Sequence, residues 1–311
     1  MPHGFAHSPA VLQWCQELRA NPLPQSCWCP TLRGETHPTK TYRYNCCQHT
    51  HPIDKWARDG HGNATFDSQH GQDWWLQTNL IATGLHRLWR GDRRHGTYVD
   101  LATNDPIFRS STFYLDACLG WKGVCVEANP QHYYHIWQQR SCTLVPACAS
   151  HTRKRIPFQV NAGEASGGSS HVGEARKGAS WSLKSRETSV PCDTLTRMLE
   201  RSGLSHIDVL SLDIEGHEAS ALAGLNFSRI TVNVIITEAS CKARAKHHNR
   251  VACELLTSAG FRPVPDQNIH DTVWTRQPLP SAPQRFQCRP PSEAGGCRGW
   301  DYRGASEYDD L

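Results

Sequence analysis

The chain has 311 residues, enough for one large domain with extensions or two smaller ones, and for a core that needs neither disulfides nor metals to fold. Only 38% of it is hydrophobic and the mean hydropathy is −0.58, while 23 Gly and 19 Pro surround a compact centre with loop. A net charge of +4 is mild, no basic stripe carries interleaved aromatics as nucleic-acid binding would require, and no apolar run is long enough for membrane insertion.

Residues 1–66 are polar, rich in Cys, His and Pro, and weakly periodic, which predicts a loop-rich N-terminal extension. The start, MPHGFAHSPAVLQW, lacks a basic segment followed by an apolar run, so no signal peptide is expected and the cytoplasm is the favoured compartment. Asn63-Ala-Thr65 and Asn226-Phe-Ser228 match the glycosylation sequon, which matters only in the secretory pathway. Among the 14 cysteines, Cys118, Cys125, Cys148 and Cys253 fall within expected buried elements, where a free Cys behaves as a small hydrophobe. Cys15, Cys27, Cys29, Cys46 and Cys47 gather near the start, with Cys288 and Cys297 near the end. Their spacing suits zinc poorly and leaves disulfides and thiols equally open.

From residue 67 to 277 strands and helices alternate. Short apolar runs at Thr97–Thr103, Gly123–Asn129, Cys142–Ser150, Asp208–Glu215 and Val232–Ala239 predict parallel strands covered on both faces. Phe261–Pro265 and Thr272–Thr275 read as a closing hairpin. Helices are expected at Pro130–Arg140, at Asp193–Ser202 with Gly203 as its stop, and at Arg244–Ala259 with Gly260 as its stop. Asn161–Thr188 has no apolar periodicity, and a loop of that length between two core strands predicts a lid over Ala165–Gly178, with exposed His171 within it. Residues 278–311 form a Pro-rich tail, expected to be mobile. The basic clusters Arg90–His95, His151–Arg155 and Lys242–Arg250 read as solvated faces. The alternation specifies a doubly wound, mostly parallel α/β sheet, whose ligands sit at the carboxyl ends of the strands.

Two of those ends carry acids. Asp100 lies near the end of the first strand and Glu127 near the end of the second, one β-α-β unit apart, a spacing at which an acid can accept hydrogen bonds from ribose hydroxyls. The turn between them, Leu101-Ala102-Thr103-Asn104-Asp105-Pro106, lacks the glycines a pyrophosphate needs, which disfavours an NAD-linked oxidoreductase. A ligand with an amino-acid end, such as S-adenosylmethionine, would instead meet side-chain oxygens and amides of Asp100, Thr103 and Asn104. The fourth strand ends in Asp213-Ile-Glu215-Gly-His217-Glu218. Asp213 and Glu215 fall on one side of the strand and, with Glu238 after the fifth, could act as a base or hold a divalent cation. His217 is weighed equally as an acid–base group and as a capping or packing His, and Glu218 reads as the first-turn acid of the following helix.

Five stretches in this order resemble the FkbM-type S-adenosylmethionine-dependent methyltransferases: SQHGQDWWL, GTYVDLATNDP, STFYLDACLGWKGVCVEANP, LSLDIEGHEASAL and NVIITEAS. The family carries a Gly-containing turn after the first strand, and this chain keeps the Asn but replaces the glycines. The resemblance implies a Rossmann-like seven-stranded sheet of the class I methyltransferase type, S-adenosylmethionine as cofactor, and methyl transfer to an oxygen, often of a sugar. Gln72 and Asp73 of the first stretch would then reach the cofactor. The acceptor would be a small-molecule or glycan hydroxyl. The alternative is a non-catalytic binding module that keeps the fold with a degenerate cofactor turn.

Overall fold

Seven of the strands join in one sheet because their apolar residues must be covered on both faces. In the computed structural model, which describes residues 11–13, 15–16, 68, 71–81, 95–161, 171–172, 185–238, 241, 247–265 and 271–277, helix α1 spans Gln72–Leu76 and continues as a π-helical turn over Gln77–Ile81. There follow β1 (Thr97–Leu101), α2 (Phe113–Ala117), β2 (Lys122–Glu127), α3 (Tyr133–Gln139), β3 (Thr143–Pro146), β4 (Cys148–Ala149), β5 (Lys154–Asn161), β6 (His171–Val172) and β7 (Ser185–Asp193). The chain then forms α4 (Leu195–Arg201), β8 (His206–Leu212), α5 (Glu218–Ala223), β9 (Thr231–Thr237), α6 (His247–Ser258), β10 (Arg262–Pro263) and β11 (Thr272–Thr275).

The large sheet has the order β10-β11-β9-β8-β1-β2-β3. Strands β3, β2, β1, β8 and β9 are parallel, and the hairpin β10–β11 closes the other edge antiparallel to β9. Successive residues of β1 serve opposite layers. Tyr98 packs with Trp74, Trp75, Leu76, Phe113 and Leu115, and Val99 and Leu101 pack with Leu195, Leu199, Leu210 and Leu256. Each such side chain contributes roughly 1.5–3 kcal/mol by leaving water, so the two layers together hold the sheet between them. Gly123 in β2 has to be Gly, since a Cβ there would lie 2.0 Å from the Tyr98 ring. Helix α4 begins at Thr194, whose hydroxyl accepts the Arg197 N–H, and ends before Gly203 at φ +72°.

The structure departs from the sequence expectation in four places. The run Cys142–Ser150 is two strands, β3 in the large sheet and β4 in a second sheet of order β4-β7-β5-β6. That second sheet borders the expected long loop: β5 and β7 pair antiparallel from Lys154↔Cys192 to Asn161↔Ser185. Its inner face, Ile156, Phe158 and Val160 with Cys148, Val190 and Cys192, is a core of its own. The lid segment Ala165–Gly178 lies outside the described residues apart from β6, which pairs His171 with Gln159. The helix expected from Pro130 starts at Tyr133, after a turn over Pro130–His132.

The fourth departure is cysteine chemistry. Cys118, Cys125, Cys148 and Cys253 are not free thiols; they pair as Cys15–Cys118, Cys125–Cys142, Cys148–Cys192 and Cys241–Cys253. The first of these ties the N-terminal segment to α2: residues 11–13 and 15–16 are helical, and Val11 and Cys15 are buried in the core beside Trp74 and Phe113. The remainder of the extension before Ser68 and the tail 278–311 lie outside the described residues, and so do Cys27, Cys29, Cys46, Cys47, Cys288 and Cys297. No helix among the described residues is long and apolar enough to cross a membrane.

Candidate active site

Parallel pairing brings the strand ends to one edge. Leu101 of β1 sits opposite Val126 of β2 and Leu212 of β8, and Leu212 opposite Thr237 of β9. The 102–106 turn, Glu127, Asp213 and Glu238 therefore emerge side by side.

The turn solves its missing glycines by accepting strain. Ala102 and Asn104 take positive φ, +57° and +55°, a region L residues enter at a cost of roughly 1–2 kcal/mol. After Gly, Asn tolerates that region best and Ala poorly, and such strain concentrates at working sites. Hydrogen bonds hold the shape. The Ala102 N–H donates to the Val126 carbonyl at 2.9 Å, the Thr103 hydroxyl to the Asp100 carbonyl at 3.3 Å, and the Ile107 and Phe108 amides to Asp105 Oδ1. Glu127 is the keystone. Its Oε2 accepts the Asn104 N–H at 2.8 Å and its Oε1 the Asn129 N–H at 2.6 Å, so a buried carboxylate joins the loops after β1 and β2. A carboxylate oxygen accepts more than one donor, so this anchoring leaves Glu127 chemically able to accept ribose hydroxyls as well.

Asp100 lies beneath that turn. Its Oδ2 accepts the Thr112 hydroxyl at 2.6 Å and an Arg140 N–H at 3.4 Å. Arg140 leaves α3 in an extended conformation and is itself buried. Its Nε–H donates to Asp116 at 2.7 Å, and its two amino groups reach Ser110, Thr112, the Tyr98 hydroxyl and the Pro106 carbonyl. Burial pushes the Asp100 carboxyl up and Arg140 pulls it back, so the two acids share one cation. Through Pro106 and Ser110 the same guanidinium braces the turn from below. Only tertiary contacts single out Arg140 and Asp116, which carry no motif of their own in the sequence.

The second acid group stands at the ends of β8 and β9. Asp213, Glu215 and Glu238 can bring one ligand oxygen each within 4.8 Å of one another. Burial raises the Asp213 carboxyl well above its usual range, and Glu238, Asp271, Glu215 and Glu218 each raise it further. Glu215 reaches the group through a left-handed backbone, φ +55°. Glu218 stands in the first turn of α5, as expected, and turns back so that its Oε1 accepts the Gly216 N–H at 3.0 Å. It thus shapes the turn that carries Glu215.

His217 stands at the N-terminus of α5. It makes no capping bond, its Nε2 is buried without a hydrogen-bond partner, and burial, followed by Lys154 and His151, lowers its pKa. The first motif splits in two. The Gln72 amide donates to Asp271 Oδ2 at 2.5 Å and so joins the carboxylate group indirectly, whereas Asp73 is taken up by Ser68 and by the Trp74 N–H. Asp271, just ahead of β11, comes to this edge because the hairpin folds back beside β9.

No curated protein matches the chain. A solved structure, the methyltransferase FkbM from Methylobacillus flagellatus KT, aligns at 11% identity and a TM-score of 0.35, over 66% of this chain and 50% of that one, so this chain spans about half of its length. A family model described as the methyltransferase FkbM domain matches residues 96–263, from the residue before β1 to the end of β10. More than half of the chain lies within that match, which takes in the strained turn, Glu127, Arg140 and the carboxylate group, and the chain belongs to the FkbM methyltransferase family.

Proposed function

We propose that the chain is an S-adenosylmethionine-dependent O-methyltransferase acting on a hydroxyl, that of a sugar or glycan. The observation that carries the reading is the convergence of Asp213, Glu215 and Glu238 at the strand edge next to the 102–106 turn. S-adenosylmethionine supplies a methyl group activated by a positively charged sulfur. Glu127 would hold its ribose hydroxyls, and the Thr103–Asn104 turn, braced from below by Asp100, would face its amino-acid end. The chain's remaining task is the acceptor proton. A sugar hydroxyl is a weak acid near neutral pH, so its oxygen must be held in line and its proton received as the new bond forms.

A carboxyl pushed upward in pKa, as at Asp213, is a stronger proton acceptor than an ordinary aspartate and suits that step. The same crowding supports a second reading of the site. A divalent cation held by Asp213, Glu215 and Glu238 would offset their repulsion and acidify a hydroxyl bound to it. The polar, carboxylate-rich edge suits a hydrated acceptor better than an aromatic one.

Calorimetry with S-adenosylmethionine, followed by mass spectrometry of glycans incubated with protein and cofactor, tests the reading. Binding and a methyl increment are expected. Failure to bind would leave the non-catalytic module, with the glycine-free turn as its cause. EDTA then separates the two forms of the site. Lost activity restored by a divalent cation selects the metal, and unchanged activity selects the free carboxylate base.

A further inference from the structure

We propose that the chain matures in an oxidising compartment and carries an N-linked glycan on Asn226. This goes beyond methyl transfer and does not depend on it. Two independent observations lead there. Four disulfides join eight cysteines drawn from every part of the described fold: Cys15–Cys118 at the N-terminal segment, Cys125–Cys142 between β2 and the start of β3, Cys148–Cys192 in the second sheet, and Cys241–Cys253 at α6. Structural disulfides in such number form where thiols are oxidised, as in the secretory lumen, and are rare in reducing cytosol. This opposes the cytoplasmic expectation drawn from the chain's first residues.

The second observation is the geometry of Asn226-Phe227-Ser228. The sequon sits on the connection between α5 and β9, and Asn226 and Ser228 are exposed. Its backbone is anchored. The Asn226 N–H donates to Thr196 Oγ1 at 2.7 Å, and its carbonyl accepts the Arg229 and Ile230 amides at 3.0 Å each. The sequon's first and third residues are joined to each other: the Ser228 hydroxyl donates to Asn226 Oδ1 at 2.6 Å, and the Ser228 N–H donates to the same oxygen at 3.0 Å. Both contacts use the amide oxygen, not the nitrogen, of this exposed side chain.

Position also favours modification. Asn226 precedes β9, whereas Glu238 follows it, so the seven-residue strand separates them by about 20 Å along its axis. A glycan there would extend from the edge opposite the carboxylates and leave that site open. The covalent step balances. Asn226 Nδ2 bonds to the anomeric carbon of a lipid-pyrophosphate-linked oligosaccharide, the bond from that carbon to the pyrophosphate oxygen breaks, the lipid pyrophosphate leaves, and the amide proton passes to a base of the glycosyl-transferring enzyme. As each disulfide forms, its two thiols give up two electrons and two protons to a thiol–disulfide oxidant of the same compartment, which is reduced to its dithiol.

The test uses the full chain, wild type and the variants N226Q, S228A and S228T, expressed in the source cells and purified without reduction. Peptide-N-glycosidase in heavy-oxygen water converts a glycosylated Asn into labelled Asp, which peptide mass spectrometry locates. The label is expected at Asn226 in wild type and in S228T, and at no level in N226Q or S228A, with the four cysteine pairs recovered oxidised. An unlabelled Asn226 peptide from wild-type chain whose cysteines are oxidised overturns the glycan. Free thiols at those eight positions overturn the compartment as well. Because S228T keeps the sequon, it separates loss of the glycan from a folding defect of the substituted turn.

Discussion

Two groups of acids lie close together in this fold and differ in one respect. Asp100 and Asp116 share the buried Arg140, and the pull of that guanidinium works against the desolvation of Asp100. Asp213, by contrast, stands among Glu238, Asp271, Glu215 and Glu218, and every leading influence on it, burial first, disfavours its charge. Removing the cation from the first group exposes charges that the fold had satisfied, and is costly; in the second, burial and the neighbouring acids hold Asp213 toward its protonated form. The first kind of site is architecture. The second stores electrostatic energy that a proton, a cation or a polar acceptor can release, which is what chemistry at a strand end requires.

The sharpest break in the comparison is Asp213→Asn. It is nearly isosteric and is expected to lower turnover by about 10²–10⁴-fold while the protein stays folded, as read by steady-state methyl transfer beside circular dichroism. Normal turnover would place the proton acceptor elsewhere. Arg140→Met should do the reverse. It strands Asp100 and Asp116 without their cation and is expected to cost about 3–5 kcal/mol of stability in denaturant unfolding. If Arg140→Met unfolds at the wild-type midpoint, the distinction between the two groups collapses.

A smaller effect is expected at the turn between them. Glu127→Ala should weaken S-adenosylmethionine by roughly 1.5–3 kcal/mol in calorimetry, the range for a hydrogen bond to a charged group. Because Glu127 also holds the Asn104 and Asn129 amides, Glu127→Gln separates the two functions: it should keep the acceptor geometry in part and fall between wild type and Ala.

The smallest effect concerns pH. Asp213 binds its proton more tightly folded than unfolded, so its contribution favours the fold at low pH and is lost as pH rises from the ordinary carboxylate range through its own elevated pKa. Wild type and Asp213→Asn should therefore melt together in acid and separate near neutrality, with the variant the more stable by the order of a few °C. A divalent cation that raises the wild-type midpoint at neutral pH, and leaves Asp213→Asn unmoved, would identify the metal form of the site.

Much of this arrangement was legible in the residues. The runs Thr97–Thr103, Gly123–Asn129, Asp208–Glu215, Val232–Ala239 and the closing hairpin fall within a few residues of their strands. Glu127 stands out by its spacing from Asp100, Asp213 by the cost of a carboxylate at the end of a buried apolar strand, and Glu238 by its place after the next strand. The second sheet was missed although Ile156, Phe158 and Val160 alternate along β5. The alternation is short, and β7, to which it pairs, begins twenty-odd residues later across a stretch without periodicity. The four disulfides were missed for a different reason. Cysteines in apolar elements look alike whether paired or free, and only the Cα separations, 4.4 to 5.9 Å, decide between the two.

Periodicity and strand-end chemistry are properties of neighbouring residues, so the chain's own order determined the parallel sheet, its closing hairpin and the edge at which acids would gather. Compensation is a matter of distance through space. Arg140 reaches Asp100 across 40 positions and Asp116 across 24, Gln72 reaches Asp271 across 199, and Asp213 meets Glu238 only because β8 and β9 lie side by side. Coulomb energy at a few ångströms, in surroundings shielded from water, separates an acid with a cation from an acid among acids, and nothing in the order of residues specifies that separation until the sheet has closed.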